Sequence, residues 1–313
     1  MKIVFVQPKV GYPGGFCWEA SGIGYIASYL RYGQLMLPQR GDVMEFYSGF
    51  FDSHTEILHA SRDADIVAFS CTSPQVAHAQ EIAKWLAEQQ PAPLTVIGGV
   101  HASAWPEDHI EPFHVMVRGE GERAMDQIVR HYQEGAVNPV YSGLYVPSLD
   151  ILPDPDRDLI QNERNIEQAF RENGERITSI NAQRGCPFKC KFCCSNAIWG
   201  RKVRSRSPYR IIDEMSWLVQ RWRIQFVKFS DDTFTLNPRW VRALAREKKR
   251  RGVDVPFGCN VQPSTMTEAL AETLAGVGCR EAWIGLECLR GDTRIALADG
   301  MHTPISQLPP SIN

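Results

Sequence analysis

The sequence lacks the features of a membrane protein or a secreted precursor. No apolar run approaches the roughly 18 residues that a membrane-spanning helix needs. The first eight residues are too few for a signal peptide and have the pattern of a strand. There is no low-complexity segment, and no internal repeat beyond alternating strands and helices. We therefore expect a cytoplasmic protein without a membrane span.

The chain also lacks an excess of charge of either sign. It has 34 basic and 36 acidic residues, a formal net charge of −2. Such a balance provides no field that would attract nucleic acid or an anionic membrane, so neither is expected as a partner. With 313 residues, of which 43% are hydrophobic, the chain is long enough for about two domains with sizeable cores.

Histidine is scarce, and none of the eight histidines lies between His131 and His302. The nine cysteines are an odd number in a chain of this size and do not suggest a disulfide framework. A reducing compartment is therefore expected, and an oxygen-sensitive metal cluster would need the same environment.

Three of the cysteines lie close together, with the spacing C-x3-C-x2-C. Cys186, Cys190 and Cys193 follow an apolar, strand-like segment. Three thiolates can hold three irons of a 4Fe–4S cluster and leave the fourth iron open. A structural zinc site prefers four ligands in two pairs, and no second pair follows. The spacing favours the cluster over zinc or over three inert thiols.

Residues 1–135 alternate strand and helix patterns. The predicted strands are Lys2–Gln7, Asp42–Tyr47, Ile66–Ser70, Leu94–Gly98 and Val115–Val117. The predicted helices are Ile23–Arg31, Gln75–Gln89 and Glu122–Gln133. This alternation favours an α/β fold, a doubly wound, flavodoxin-like parallel sheet. Such sheets bind ligands at the carboxyl ends of their strands.

A second series of strands and helices follows a linker predicted at 136–176, which is rich in Pro and Asp at 152–158. The strands are predicted at Ile177–Gln183, Ile224–Ser230, Pro256–Val261 and Glu281–Leu286. The helices are predicted at 208–222, 238–251 and 267–277. Four strands make only part of a βα barrel, whose active site would lie at the carboxyl ends of the strands.

Residues 177–287 resemble the radical S-adenosylmethionine (SAM) superfamily. The resemblance rests on the cysteine run, the basic segment Gly200–Pro208, the acidic segment Phe229–Phe234 and the segment Ile284–Glu287. It implies a partial radical SAM βα barrel, with SAM on the open iron of the cluster. An electron donor such as flavodoxin or ferredoxin is implied as a partner.

The resemblance also implies contacts to SAM. Phe192 would lie by the adenine, Asp231 or Asp232 would take the amino group, and Arg204 or Arg206 could pair with the carboxylate. Two more strand-end residues complete the set of implied SAM contacts, Gln262 and Glu287. The alternatives are a solvated basic face for the arginines and a helix cap for Asp231.

The first half resembles the cobalamin-binding domain that precedes the barrel in one group of radical SAM proteins. The matching segments are Ile66–Thr72, Val96–Ser103 and Arg118–Glu122. Their glycines would let the backbone approach the cofactor. The implied cobalamin contacts are Ser70, Thr72, Gly98, Gly99, His101, Gly119 and Glu120. The alternative is a flavodoxin-like domain without this ligand.

The sequence departs from cobalamin domains that supply a histidine to cobalt. Those domains carry D-x-H-x-x-G after the first strand, whereas residues 8–15 contain no histidine. Asp52-Ser53-His54 resembles the start of that motif but follows the second strand, and we interpret it as chance. Cobalamin is therefore expected to bind without a histidine ligand from the protein.

Residues 288–313 resemble the N-terminal splicing block of an intein. The resemblance rests on Cys288, on Gly291-Asp292-Thr293 and on Asp299-Gly300, which is also a hairpin signal. It implies that Cys288 is a splicing nucleophile that attacks the Glu287 carbonyl. A complementary C-terminal intein fragment would then be a partner. The alternative is a barrel loop that contains a cysteine.

Taken together, these resemblances imply a cobalamin-dependent radical SAM enzyme fragment that acts on a small-molecule substrate. Reductive cleavage of SAM at the cluster would give a 5′-deoxyadenosyl radical, and cobalamin would deliver a methyl group to an unactivated carbon. Some relatives use cobalamin for cyclisation or rearrangement instead. Two further hypotheses are a catalytically silent splicing precursor and a cofactor-binding sensor.

Overall fold

The computed structural model describes residues 1–10, 19–32, 42–105, 111–285, 294–296 and 302–304. Within these ranges, no helix is long and apolar enough to cross a membrane.

The first half of the chain forms a six-stranded sheet in which every pair of neighbours is parallel. Its strands are β1 (Lys2–Gln7), β2 (Val43–Ser48), β3 (Ile66–Ser70), β4 (Leu94–Gly98), β5 (Val115–Arg118) and β6 (Val140–Ser142). They lie in the order β2-β1-β3-β4-β5-β6. Because β1 lies between β2 and β3, the chain reverses its winding there, and ligands of such sheets bind beside this point.

Helices cover both faces of this sheet, as predicted for a doubly wound fold. The helices of this half are α1 (Ser21–Tyr32), α2 (His54–Ser61), α3 (Val76–Ala87), α4 (Val100–Ala104) and α5 (Glu122–Glu134). One buried apolar cluster joins α1 and α5 to the sheet, and a second joins α2, α3 and α4 to it. Alternate residues of each central strand enter opposite clusters, as Phe5 and Val6 do.

The segment predicted as a linker contains regular structure. Residues 140–142 form β6 at the edge of the first sheet, and Asn162–Asn173 form helix α6. The Ser28 hydroxyl donates to the Asp154 carbonyl at 2.7 Å, and buried Val146, Leu149 and Leu152 pack against α1. The segment is therefore packed along the first half of the chain, although its Pro- and Asp-rich part forms no helix or strand, as expected.

The second half forms a four-stranded parallel sheet in the order β12-β11-β10-β7. Its strands are β7 (Ile177–Ile180), β10 (Phe226–Phe229), β11 (Phe257–Asn260) and β12 (Cys279–Trp283). Its helices are α7 (Ser195–Trp199), α8 (Pro208–Trp222), α9 (Pro238–Arg251) and α10 (Glu268–Ala275). One buried apolar cluster unites this sheet with α6, α8, α9 and α10.

Two short antiparallel pairs complete the described structure. Gln183–Arg184 (β8) pairs with Arg204–Ser205 (β9) and encloses the cysteine run. Arg294–Ala296 (β13) pairs with His302–Pro304 (β14), as the hairpin signal at Asp299-Gly300 predicts. The first barrel strand is shorter than predicted, because the chain bends after Ile180 before it forms β8.

Candidate functional site

A cavity of about 460 Å³ lies at the carboxyl ends of β1, β3, β4 and β5. This volume is within the range of small-molecule sites. Six of the seven residues predicted to contact a cofactor here line the cavity: Ser70, Thr72, Gly98, Gly99, Gly119 and Glu120. The structure thus brings together residues from three separate turns, because parallel strands end at the same edge of the sheet.

The seventh residue, His101, is not among the lining residues. Its Nδ1 lies 3.1 Å from the Ser73 hydroxyl, and its ring stacks on Trp105. No histidine is found among the described residues that line the cavity. Whether cobalamin binds without a histidine ligand from the protein stays a prediction.

Close backbone packing shapes the turn after β4. Gly99 has φ +93°, and a Cβ there would lie 2.9 Å from both the backbone nitrogen and the carbonyl oxygen of Cys71. Only glycine fits this position without displacing the backbone. Next to it, the Thr72 N–H and hydroxyl both donate to Gln75 Oε1, and the Gln75 amide donates to the Pro8 carbonyl at 2.6 Å. The floor of the cavity is therefore held by backbone contacts.

The opposite wall comes from the second half of the chain. Ile198 and Trp199, at the end of α7, and Arg184 of β8 also line the cavity. Helix α7 directly follows the cysteine run and packs against α4. The segment that carries the cysteine loop thus also contributes residues to the wall of the cavity.

The three cysteines of the loop are accessible. Cys190 and Cys193 are exposed and Cys186 is half-buried. The Cys193 N–H donates to the Cys190 carbonyl at 3.2 Å, and the Ser195 N–H donates to Cys193 Sγ at 3.5 Å. Burial raises the pKa of the Cys193 thiol above its ordinary value.

The loop does not form a preassembled site for a single ion. Among the described residues, no three His, Cys, Asp or Glu side chains converge as ligands of one metal ion. A 4Fe–4S cluster places each cysteine on a different iron, so its ligands need not converge on one point. The three thiols of this loop are thus compatible with a 4Fe–4S cluster.

Asp231 lies beneath the start of the cysteine loop. It is buried, and its Oδ1 accepts hydrogen bonds from the N–H groups of Ala182 at 2.7 Å and Gln183 at 2.8 Å. Its Oδ2 is buried without a hydrogen-bond partner. Burial raises the pKa of Asp231 to about 7, although the two backbone bonds act to lower it. Asp231 ties the end of β10 to the segment between β7 and β8.

Asp232, the next residue, has a different environment. It is exposed, and its carboxylate accepts a hydrogen bond from the hydroxyl of Ser195, the first residue of α7. Asp232 therefore lies beside the cysteine loop, where a ligand of the cluster could reach it.

The two arginines predicted to pair with a carboxylate ligand are buried in ion pairs. Arg204 donates through both terminal nitrogens to Glu120, at 2.5 and 3.0 Å. Arg206 donates to Glu214 and Asp154, each at 2.6 Å. Neither is a solvated surface charge. Their guanidinium groups would have to leave these partners to contact a ligand, so that role stays a prediction.

The remaining predicted site residues are scattered around the loop. Phe192 is 58% exposed. The Gln262 side chain accepts a hydrogen bond from the Ser264 N–H at 2.8 Å and so caps a short turn after β11. Glu287 and Cys288 lie outside the described residues.

Comparison with protein-family models assigns both halves of the chain. The B12 binding domain model matches residues 13–129, and the radical SAM superfamily model matches residues 180–304. The chain carries a B12-binding domain and a radical SAM domain. The predicted fold class is confirmed, and the cofactors predicted from the sequence, a 4Fe–4S cluster, SAM and cobalamin, agree with these two domains.

Curated relatives cover most of the chain. An uncharacterized methyltransferase, PH0819, of Pyrococcus horikoshii is 29% identical over 72% of this chain and 52% of its own length. The anaerobic magnesium-protoporphyrin IX monomethyl ester cyclase of Cereibacter sphaeroides is 28% identical over 84% of this chain and 46% of its own. The chain therefore spans about half the length of these relatives.

Two solved structures share the fold of both domains. The radical SAM methyltransferase TsrM from Kitasatospora setae, with cobalamin and a 4Fe–4S cluster bound, has a TM-score of 0.69 at 21% identity. The match covers 92% of this chain and 59% of TsrM. The cobalamin-dependent SAM radical enzyme OxsB has a TM-score of 0.64 at 15% identity, over 91% of this chain and 44% of OxsB.

The radical SAM match extends past Cys288, into the segment predicted as an intein. None of the findings above shows an intein, and its splicing role stays a prediction.

The prediction from the sequence missed three residues at the boundary of the B12-binding and radical SAM domains. Arg184, Glu122 and Trp199 line the cavity, and Arg184 donates to Glu122 at 2.6 Å. One signal could have revealed Arg184, since it is a charged residue in the apolar segment that leads to the cysteines. Nothing in the sequence pairs it with a residue 62 positions away.

Proposed function

We propose that this chain is part of a cobalamin-dependent radical SAM enzyme that transfers a methyl group to an unactivated carbon of a small molecule. One observation carries the proposal. The cavity of the B12-binding domain is also lined by Ile198 and Trp199 of α7 in the radical SAM domain, directly after the cysteine loop. A cofactor in the cavity and a cluster on the loop would therefore face one reaction space.

On the loop, Cys186, Cys190 and Cys193 would hold the cluster. When bound, the reduced cluster supplies the electron that cleaves SAM, and cobalamin supplies the methyl group. A flavodoxin or ferredoxin would reduce the cluster. The exposure of Cys190 and Cys193 supports this role, since both thiols can reach a cofactor without rearrangement of the core.

In the cavity, the turns at Ser70–Thr72, Gly98–Gly99 and Gly119–Glu120 would hold cobalamin. The glycines allow close approach of the backbone. His101 would act at most at the rim.

Near the loop, Phe192 and Asp232 would bind SAM. Both are exposed beside the cysteines. Asp231 would orient the loop through its bonds to Ala182 and Gln183 rather than touch SAM. Gln262, at the end of the next strand, and Glu287 would complete the site. Arg204 or Arg206 would contact SAM only after its guanidinium group leaves the carboxylates with which it is paired.

A cyclisation is the second candidate reaction. It is favoured by the 28% identity to the anaerobic ester cyclase over 84% of this chain. The two candidates differ in the fate of the SAM methyl group. With methyl-labelled SAM, reduced cobalamin and no substrate, a methyltransferase should release S-adenosylhomocysteine and label the cobalamin fraction. Cleavage to 5′-deoxyadenosine without any S-adenosylhomocysteine would favour the cyclase.

The cluster assignment is tested by anaerobic reconstitution with iron and sulfide. The wild-type chain should gain the visible absorption of an iron–sulfur cluster, and Cys190→Ala should lose it, because it lacks one of the three thiolate ligands. Cys194→Ala is the matched control, because Cys194 is adjacent to the motif and outside its spacing; this variant should keep the band. An unchanged spectrum in Cys190→Ala would refute the cluster site.

We further propose that the chain ends in part of an intein that splices to a complementary fragment. The antiparallel pairing of β13 with β14 supports this, since a continuing barrel would add parallel strands. A thiol such as dithiothreitol should cleave the chain after Glu287, and Cys288→Ala should resist. If the isolated chain cleaves SAM at an enzymatic rate, the hypothesis of a silent precursor is wrong.

A further inference from the structure

Two arginines and two glutamates join the cysteine loop to the turn after β5. We call Arg184, Arg204, Glu120 and Glu122 the loop clamp. All four are buried, with relative exposures of 2–9%. Arg184 and Arg204 belong to the radical SAM domain, and the glutamates belong to the B12-binding domain. The clamp therefore joins the two domains that carry the proposed cofactor sites.

The two arginines lie at the base of the cysteine loop. Arg184 of β8 pairs with Arg204 of β9 in the antiparallel ladder, and all three cysteines lie between them in sequence. The Arg204 guanidinium also donates to the carbonyl of Trp199, the last residue of α7, at 3.2 Å. Displacement of either arginine would thus move an end of the loop.

The two glutamates lie in the wall of the cavity. Glu120 and Glu122 follow β5 and line the cavity together with Gly119 and Gly121. Glu120 accepts two bonds from Arg204 and one from the Val146 N–H at 2.6 Å. Glu120 therefore lies on the turn that a cofactor in the cavity would contact, and any displacement of this turn would also move Glu120.

Burial makes the clamp sensitive to small displacements. A buried arginine that loses its carboxylate keeps a charge that water cannot solvate, which is strongly unfavourable. Arg184 is already incompletely satisfied, since its Nη1 has no hydrogen-bond partner and lies 3.5 Å from Glu120. Its guanidinium packs over the Trp199 ring, 4.7 Å from the centroid. The arginines and glutamates therefore pair best when the turn after β5 and the cysteine loop keep the arrangement seen in this structure.

We propose that the loop clamp couples the two cofactor sites, so that cobalamin in the cavity and the cluster on the loop each strengthen the binding of the other. The four residues act as positioning residues. This inference rests on the proposed function, because it requires that both cofactors bind. Coupling between two sites is reciprocal, so it can be measured from either side.

The test compares the affinity of the full chain for hydroxocobalamin with and without a reconstituted cluster, by absorbance titration under anaerobic conditions. In the wild type, the dissociation constant should fall at least fivefold when the cluster is present, about 1 kcal/mol of coupling. Reciprocally, cobalamin should slow the loss of iron from the cluster to a chelator. Glu120→Gln should reduce the ratio of the two dissociation constants to below about twofold. The ratio cancels any direct contact between Glu120 and cobalamin.

Glu214→Gln is the matched control. Glu214 is equally buried and bridges two arginines, Arg157 and Arg206, yet it does not line the cavity. Its loss should lower stability and leave the coupling ratio at the wild-type value. If Glu120→Gln does not fold, Glu122→Gln, which removes the partner of Arg184, replaces it.

The outcomes separate this inference from the proposed function. A wild-type ratio near one, with both cofactors bound, overturns the coupling and leaves the function intact. If the folded Glu120→Gln or Glu122→Gln variant keeps the wild-type ratio of dissociation constants, other residues carry the coupling and the role of the clamp is overturned. Failure of the wild type to bind either cofactor overturns the proposed function, and the coupling with it.

Discussion

Asp231 and Asp232 are adjacent in the sequence, but they have different environments. Asp231 is buried under the cysteine loop, whereas Asp232 is exposed beside it. The resemblance left open which of the two would bind the amino group of SAM. The two carboxylates also have different partners, since Asp231 accepts from the N–H groups of Ala182 and Gln183, whereas Asp232 accepts from the Ser195 hydroxyl.

The protonation of Asp231 should make the stability of the metal-free chain depend on pH. The pKa of an aspartate in the unfolded chain is about 3.9, whereas burial raises the pKa of Asp231 in the folded chain to about 7. Between these values the folded state keeps a proton that the unfolded state has lost. The stability associated with this proton is full below pH about 4 and is lost as the pH rises through about 7.

Asp231→Asn should remove this dependence. The difference between the urea midpoints of the wild type and the variant should decrease as the pH rises from about 4 to about 7. Above that pH it should stay constant. Parallel curves for the two proteins would contradict the raised pKa.

Gly185, immediately before the first cysteine, should not tolerate a side chain. It has φ +95°, and a Cβ would lie 2.3 Å from the Lys202 carbonyl oxygen. Gly185→Ala should lower the free energy of unfolding by about 3 kcal/mol or more, because strain and a backbone clash add. Gly143→Ala is the control, since Gly143 has φ +70° and nothing within 4 Å. Its cost should be only about 1 kcal/mol. Equal urea midpoints for the two variants would show that the clash is relieved.

At the scale of elements, prediction succeeded where local signals mark both ends of a helix. Helices α8 and α9 have the predicted bounds, because each starts with a proline at its first position. Gly252, with φ +62°, ends α9. Helix α6 was missed because its sequence is polar, and of its two buried residues, Asn162 and Ile166, only Ile166 is apolar. A single apolar anchor gives no helical periodicity to detect.

The N-cap of α9 should contribute measurably to stability. The Asn237 side chain accepts a hydrogen bond from the Trp240 N–H at 3.2 Å. Asn237→Ala should cost about 1 kcal/mol in the free energy of unfolding. Asn237→Asp keeps an acceptor at the cap and should lose almost nothing, as judged by denaturant melts of both variants. A comparable loss for both would assign the effect to another contact of Asn237.

At the scale of the whole molecule, the site exists only because two domains meet. The B12-binding domain provides the floor of the cavity, and Ile198 and Trp199 of the radical SAM domain provide the opposite wall. The segment 136–176 packs against α1, and its Asp150 and Asp154 also accept hydrogen bonds from Ser207 and Arg206 of the second half. The loop clamp and the Arg206–Glu214–Arg157 network bury further charges near the boundary.

Trp199 should therefore contribute to cobalamin affinity although it lies outside the B12-binding domain. Trp199→Ala removes a large apolar wall and should weaken hydroxocobalamin binding about tenfold. Trp217→Ala is the control, because Trp217 lies 42% exposed on α8, away from the cavity. Equal affinities of the two variants in an absorbance titration would show that cobalamin does not reach this wall.

Sequence alone predicted the two folds and the cofactors that agree with them. Local patterns predict these features without a structure. They are the spacing of Cys186, Cys190 and Cys193 and the glycine-rich turns after β4 and β5. The alternation of apolar strands and amphipathic helices is local as well. Six of the predicted cobalamin residues do share one cavity, because the carboxyl ends of parallel strands meet at one edge.

Tertiary structure decided the role of the charges. Arg204 and Glu120 were predicted as contacts of two different cofactors, yet they bind each other across the domain boundary over 84 positions of sequence. A charged residue in a sequence carries no mark of its partner. Whether it faces solvent, a ligand or a buried counter-charge depends on which distant segments fold against it, and desolvation then makes that pairing decisive.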